Sequence, residues 1–140
     1  MLERYVDFQV RGDEAGWLVA LESRKNIPFP IERAYYIFGT RPGVRRGKHA
    51  HRSLRQVMIC LAGECQVLLD DGRTTEEVRM YRNDRGLLID PMVWHEMHDF
   101  SADCILLVLA DAWYDEAEYI RSYDAFKATW ASLGTSGAAS

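Results

Sequence analysis

Between Gly43 and Gly63 the chain reads GVRRGKHAHRSLRQVMICLAG, with His49-Ala50-His51 at its centre. In an extended strand, residues two apart point to the same side, so both imidazoles enter one pocket side by side. Counting outward gives a glycine, five residues, His-x-His, four residues, Gln56, six residues and Gly63. A chain with this stretch has to keep a polar pocket against a sheet.

That spacing resembles the first motif of the cupin superfamily, small β-barrels whose mouths hold metals, sugars or acids. One departure matters for chemistry. Gln56 stands where metal-binding cupins usually place a glutamate, and a neutral amide is a weaker metal ligand than a carboxylate.

Charge around the histidines narrows the ligand. From Arg33 to Gly63 there is no Asp or Glu, whereas Arg33, Arg41, Arg45, Arg46, Lys48, Arg52 and Arg55 are all cationic. Such a run is often only a solvated face. Guanidinium forks also match phosphate oxygens in pairs, so an anionic ligand, a diphosphate above all, is the sharper reading. Over the whole chain the net charge is −4. Duplex binders carry a basic excess over the entire domain, so a nucleic-acid surface is excluded.

The 140 residues, 48% of them hydrophobic, suit one domain with its own core. Cys60, Cys65 and Cys104 lie in apolar runs without a C-x-x-C pair and read as buried free thiols of a reducing cytoplasm. No apolar run approaches the roughly 18 residues of a membrane span, and MLERYVDF lacks a signal-peptide profile, so no membrane partner is expected.

Along the chain the periodicity is mostly that of strands. Tyr5 to Val10 reads as a first strand, followed by a turn through Gly12-Asp13 and Gly16, and Trp17 to Leu21 as a buried strand. Arg33 to Gly39 reads as a strand with Arg33, Tyr35 and Ile37 on one face and Ala34, Tyr36 and Phe38 on the other. The loop Thr40 to Gly47 bends and delivers Arg46 to the histidine strand. Gln56 to Leu61 and Glu64 to Leu69 flank Ala62-Gly63 as an expected tight hairpin, and Asp71-Gly72 signals another leading into an exposed edge, Arg73 to Arg79. Gly86 to Pro91, Trp94 to His98 and Asp103 to Leu109 complete the strands, the last of them core.

Beyond Asp111 the period changes. Tyr119, Tyr123, Phe126 and Trp130 are spaced four, three and four apart, the packing stripe of an amphipathic helix. Asp115, Glu116 and Glu118 crowd its expected beginning, and Lys127 its end. Gly134 to Ser140 reads as a mobile tail, which leaves residues 1–133 as the single folded domain. The periodicity is that of an all-β chain with a C-terminal helix, and the cupin resemblance implies that the strands form a jelly-roll barrel.

The convergence of polar groups makes His49 and His51 the candidate catalytic pair, with Arg46, Gln56 and His95 beside them. His95 follows Trp94 at a strand start and lines the same mouth; His98 reads equally well as capping a surface turn. Two histidines plus a third offer at most a three-histidine metal site. Pro91-Met92-Val93-Trp94-His95 lacks the glycine of the second cupin motif and brings its histidine one residue early, so no metal or other cofactor is expected.

A narrower resemblance covers the chain from Trp17 to Trp130. It is carried by Arg33-Ala34-Tyr35-Tyr36-Ile37, Arg46-Gly47-Lys48-His49-Ala50-His51, Gln56, and Pro91 through Trp94-His95-Glu96-Met97-His98-Asp99-Phe100. These resemble the nucleotide-sugar 3,4-ketoisomerases, the family acting on dTDP-4-keto-6-deoxyglucose for the aminosugars of bacterial surface polysaccharides. The resemblance implies a metal-independent, homodimeric enzyme acting on a dTDP-linked 4-keto-6-deoxyhexose. It places catalysis on His49 and His51, and substrate binding on Arg33, Arg46 and one of Tyr35 or Tyr36. Trp94 to Phe100, Tyr114-Asp115-Glu116 and Tyr119-Ile120-Arg121 are most similar to the members yielding the galacto-configured product. A 3,5-epimerase, built around a His-Asp pair and a tyrosine acid, and a sugar-binding cupin without turnover are the alternatives.

Overall fold

The computed structural model describes residues 4–139, with side chains up to residue 132. In chain order the strands begin with β1 (Tyr5–Asp7), β2 (Arg11–Asp13), β3 (Gly16–Leu18), β4 (Arg33–Phe38), β5 (Arg46–His51) and β6 (Gln56–Ala62). They continue with β7 (Cys65–Asp70), β8 (Thr75–Met80), β9 (Arg85–Ile89), β10 (Trp94–His98), β11 (Ile105–Ala110) and β12 (Tyr119–Ile120). The helix α1 (Tyr123–Ala139) follows. Two five-stranded sheets form, in the orders β1-β9-β6-β11-β4 and β12-β5-β10-β7-β8, and the expected jelly roll is what the chain adopts.

Alternation along each strand decides what lies between the sheets. In β6, Met58 and Cys60 point inward and Val57 and Ile59 outward; in β11, Leu106 and Val108 point inward and Leu109 outward. The inward set joins Val67 and Leu69 of β7, Val78 and Met80 of β8, and Leu87 and Ile89 of β9 in one aliphatic core. The outward set packs against Phe8, Ile27 and Phe29 of the N-terminal segment. Gln56, His49, His51 and His95 are buried too, where this aliphatic lining gives way to polar groups.

Several expectations are corrected by long-range pairing. β6 pairs with β9 and β11 while β7 pairs with β10 and β8, so Ala62-Gly63 carries the chain between sheets and closes no hairpin. Gly63 makes that passage at φ of 66°, where an added Cβ would meet the Ser101 hydroxyl at 2.3 Å. The β7–β8 hairpin over Asp71-Gly72 forms as expected, with β8 at a sheet edge. Trp17 is not buried: among the described residues β3 pairs only with β2, and Trp17 is 72% exposed. A two-stranded ribbon has too little sheet behind it to cover a large side chain.

The helix starts one turn later than its periodicity indicated. Ser122 caps it, the hydroxyl accepting from the Ala125 N–H at 3.2 Å. Phe126 is fully buried with Ala50, Trp94 and Ile120, and Trp130 packs against the same cluster. Tyr119 belongs instead to β12, opposite His51. Asp115, Glu116 and Glu118 stand in a separate short turn of 3-10 helix, and Glu118 accepts the Leu54 N–H at 2.8 Å. Lys127 donates to the Gly72 carbonyl at 3.0 Å. The helix runs to Ala139 through most of the stretch expected as a tail, whose side chains lie outside the described residues.

Candidate active site

β5 presents His49 and His51 inward and Ala50 outward, as the two-residue spacing requires. Its neighbour β10 sets His95 directly across from His49. The ring centroids of His49 lie 4.8 Å from His51 and 4.6 Å from His95, both pairs edge-on. Gly47 suits the bend that leads into this strand. Its φ is 65°, and a Cβ there would stand 2.2 Å from the methyl end of Met97.

The protonation of the trio follows from its surroundings. His95 Nδ1 lies 3.3 Å from the Val93 carbonyl, which can only accept, so Nδ1 carries the proton and Nε2 is left as a lone pair. Burial, then the neighbouring imidazoles and the Arg121 and Arg33 charges, lower His49 to about 2. Burial and His95 lower His51 to about 3, with Arg33 and Arg121 adding to the effect and Glu118 opposing it. Burial lowers His95 to about 4 against the opposing pull of Val93 and Glu96. All three are neutral at cellular pH, and both nitrogens of His51 are buried without a partner among the described residues.

This has a consequence for folding. An unfolded histidine titrates near 6.5, so as pH falls the unfolded chain takes up protons that the folded chain refuses. Stability is therefore complete above about pH 6.5 and declines below it, toward the folded-state values. Urea midpoints should drop between about pH 7 and pH 5, and His51→Asn should make that drop smaller. An unchanged slope in the variant would remove His51 from this linkage.

The opposite wall comes from β4 and β6. Tyr35 points inward, and its hydroxyl accepts from Gln56 Nε2 at 3.2 Å. Tyr36 alternates to the outside, 65% exposed, and reaches the cavity only at its rim. Arg33 lies over the Tyr35 ring at 4.8 Å and donates to the Tyr119 hydroxyl at 3.1 Å. Arg33, Tyr35, Tyr36 and Tyr119, with Arg46, Lys48 and His49, line an open cavity of about 420 Å³, whereas the expected site residues His51, Gln56 and His95 are buried and do not border it. Not all of the basic stretch converges here: Arg45 pairs with Glu96 at 2.9 Å and Arg55 with Asp111 at 3.2 Å, both elsewhere.

Three residues of the site come from the runs Tyr114-Asp115-Glu116 and Tyr119-Ile120-Arg121, which carry part of the family resemblance but are not placed in the pocket by the sequence. Tyr119 sits against both histidines, 5.0 Å from His49 and 4.4 Å from His51. Arg121 stacks over Tyr119 at 4.3 Å and is held by Glu116 at 2.7 and 2.9 Å, and Tyr114 lines the same cavity.

His49, His51 and His95 also offer nitrogens within 4.8 Å of one another, the one cluster among the described residues that could hold a metal ion. Gln56 stands where the motif of metal-binding cupins has a glutamate, and its Oε1 is buried without a partner among the described residues. A neutral amide in that place gives little help to a divalent ion.

The family model described as FdtA: WxcM-like, C-terminal, matches residues 2–131. The chain belongs to the FdtA family. Within the reach of this family it is 51% identical, over 91% of each chain, to the TDP-4-oxo-6-deoxy-alpha-D-glucose-3,4-oxoisomerase of Aneurinibacillus thermoaerophilus. A 3,4-ketoisomerase from Helicobacter canadensis superposes with a TM-score of 0.89 at 44% identity, covering 93% of this chain and 98% of that one. The sugar 3,4-ketoisomerase QdtA from Thermoanaerobacterium thermosaccharolyticum, solved in complex with TDP, does so at 0.91 and 37%, covering 94% and 96%. Beyond these FdtA-like structures, the 3'-monoepimerase ChmJ from Streptomyces bikiniensis is 14% identical with a TM-score of 0.73, which is a likeness of fold alone.

Proposed function

We propose that this protein is a nucleotide-sugar 3,4-ketoisomerase, moving the ketone of dTDP-4-keto-6-deoxyglucose from C4 to C3 through an enediol. The observation that carries the reading is a pair of neutral imidazoles, His49 on the wall of a cavity rimmed by Arg33, Arg46, Lys48 and Arg121, and the buried His51 ring 4.8 Å from it. A 4-keto group acidifies the hydrogen on C3, and a neutral imidazole can remove it. Returning a proton to C4 while the oxygen on C3 becomes the carbonyl completes the shift. Both bases stand on one strand, so they serve one face of the ring.

The experiment is incubation with dTDP-4-keto-6-deoxyglucose in deuterated water, with a strong chelator present, and proton NMR of the product. The expected product carries its ketone at C3 and deuterium at C4, diluted only as far as the base returns the C3 proton before exchange, with C5 unlabelled, and the ring couplings read the C4 configuration. Label or inversion at C5 would make the protein an epimerase, and binding without product a sugar-binding module.

The cations at the mouth hold the diphosphate by charge-assisted hydrogen bonds, using binding energy remote from the reacting carbons to place the ring. Arg46→Ala should weaken dTDP binding by about tenfold or more, the worth of one hydrogen bond to a charged group. Unchanged affinity would move the phosphate site elsewhere. In this reading the enzyme works in the cytoplasm without a metal, supplying 3-keto sugars for amination on the way to surface polysaccharides. A homodimer would form along the edge strand β4, where Tyr36 and Phe38 pair at 5.9 Å on the exposed side, and sedimentation should find it at micromolar concentration.

A further inference from the structure

A pyranose with a ketone at C4 and a methyl group on C5 carries its one apolar substituent two bonds from a reacting carbon. Whatever receives that methyl has to stand beside the bases. Of the described side chains that border the cavity, all are charged or aromatic except two, Ile37 and Met97.

We propose that Ile37 and Met97 form the subsite for the C5 methyl group, and that this pair makes the protein select 6-deoxy sugars over their 6-hydroxy counterparts. The inference rests on the ketoisomerase reading. Ile37 comes from β4, where it pairs with Leu106 of β11, and Met97 from β10, where it pairs with Val67 of β7. The two strands lie in different sheets, so the side chains close on a small group from two walls. Both are buried members of the aliphatic core between the sheets, and both reach the cavity. At this place the cavity opens onto the core.

Met97 also stands close to the chemistry. A Cβ on Gly47 would meet the Met97 methyl carbon and lie 3.9 Å from His49 Cε1, so the end of the thioether and the edge of the imidazole border the same small space. A sugar whose C3 or C4 stands against His49 can bring its C5 substituent to Met97. Elsewhere the lining offers the guanidinium and phenol groups of Arg33, Tyr119 and Arg121, which suit hydroxyls and phosphate oxygens.

The chemistry of the pair decides what it rejects. A thioether is a weak acceptor and isoleucine has no polar side-chain atom, so a hydroxyl on C6 would give up its water and find no good partner in return. A methyl group loses no hydrogen bond there and gains dispersion contacts on two sides. Methionine is unbranched and adapts its end to the group it meets. Once held, the methyl fixes the rotation of the ring about the line from the diphosphate to C4, and with it the approach of C3 to the base.

The test needs no turnover. The nucleotide sugars dTDP-6-deoxyglucose and dTDP-glucose differ by one hydroxyl and lack the ketone, and both can be titrated against the protein by calorimetry with dTDP alone as reference. Wild type should bind the 6-deoxy compound about tenfold more tightly, the lower end of what one small group in an apolar pocket discriminates. Met97→Gln, of similar length, gives the hydroxyl a partner and should bring the ratio within about threefold of unity, with dTDP affinity unchanged. Met97→Leu keeps the pocket apolar at similar volume and should leave the ratio near that of wild type. Ile37→Thr should lower the ratio too, and it reads the opposite wall where Met97→Gln fails to fold. A wild-type ratio under threefold would overturn the proposal, as would a Met97→Gln or Ile37→Thr protein that keeps the full preference. Formation of the 3-keto sugar by protein that binds the two compounds equally strikes the subsite alone. A preference without any 3-keto product strikes the ketoisomerase reading instead.

Discussion

Replacing either His49 or His51 with asparagine should lower turnover about 10³-fold, within the range typical of general acid–base catalysis, while dTDP still binds. Asparagine keeps a polar amide of similar reach but has no basic nitrogen. Nothing structural depends on the nitrogens of His51, since neither has a partner, so the variant loses a base without losing a hydrogen bond. At His49 the ring borders the cavity directly, and the loss falls on the group nearest the substrate. The check is turnover by NMR alongside dTDP titration. Retention of a tenth of wild-type turnover by either variant would mean that its imidazole moves no proton.

Phe126→Ala should cost about 3–5 kcal/mol of stability, the usual penalty for removing a fully buried aromatic ring. That is a large share of the roughly 5–15 kcal/mol that holds a domain of this size together. Phe126 has no exposure and packs with Ala50, Trp94 and Ile120, so its ring joins the helix to the outer face of β5 and to β12. Urea unfolding measures the loss. A change under about 1 kcal/mol would mean that the site collapses around the missing ring. Since Tyr119 stands beside Ile120 and opposite His51, turnover should fall as well, even where the variant remains folded.

Much of this was legible in the sequence because it depends on short-range periods. Alternation placed His49, His51 and His95 on inward faces and one of Tyr35 or Tyr36 with them, which the structure resolves as Tyr35, and a period of three to four found Tyr123, Phe126 and Trp130. The same periods misled where two structures share a spacing. Tyr119 is four residues before Tyr123, so it fitted the helical stripe, yet it completes a strand beside the histidines. Nothing local distinguishes the two, because the decision lies in pairing with β5, far away in the chain. Ala62-Gly63 failed for a related reason: a glycine turn between apolar strands suits a hairpin and a passage between sheets equally well. The cations divided likewise. Arg45 and Arg55 met distant carboxylates that spacing cannot reveal, and Arg121 arrived from outside the basic stretch.

Ala50, the spacer of His-x-His, has no exposure and is clamped from outside by Trp94, Ile120 and Phe126. The strand that carries the two bases is thus gripped like a blade in a vice, and the grip sets how deep the imidazoles stand in the barrel. A designer who wants this scaffold to accept a different sugar would find the pocket wall hard to move from within. Depth of the bases is adjusted from the far side, by resizing the rings that press on one methyl group.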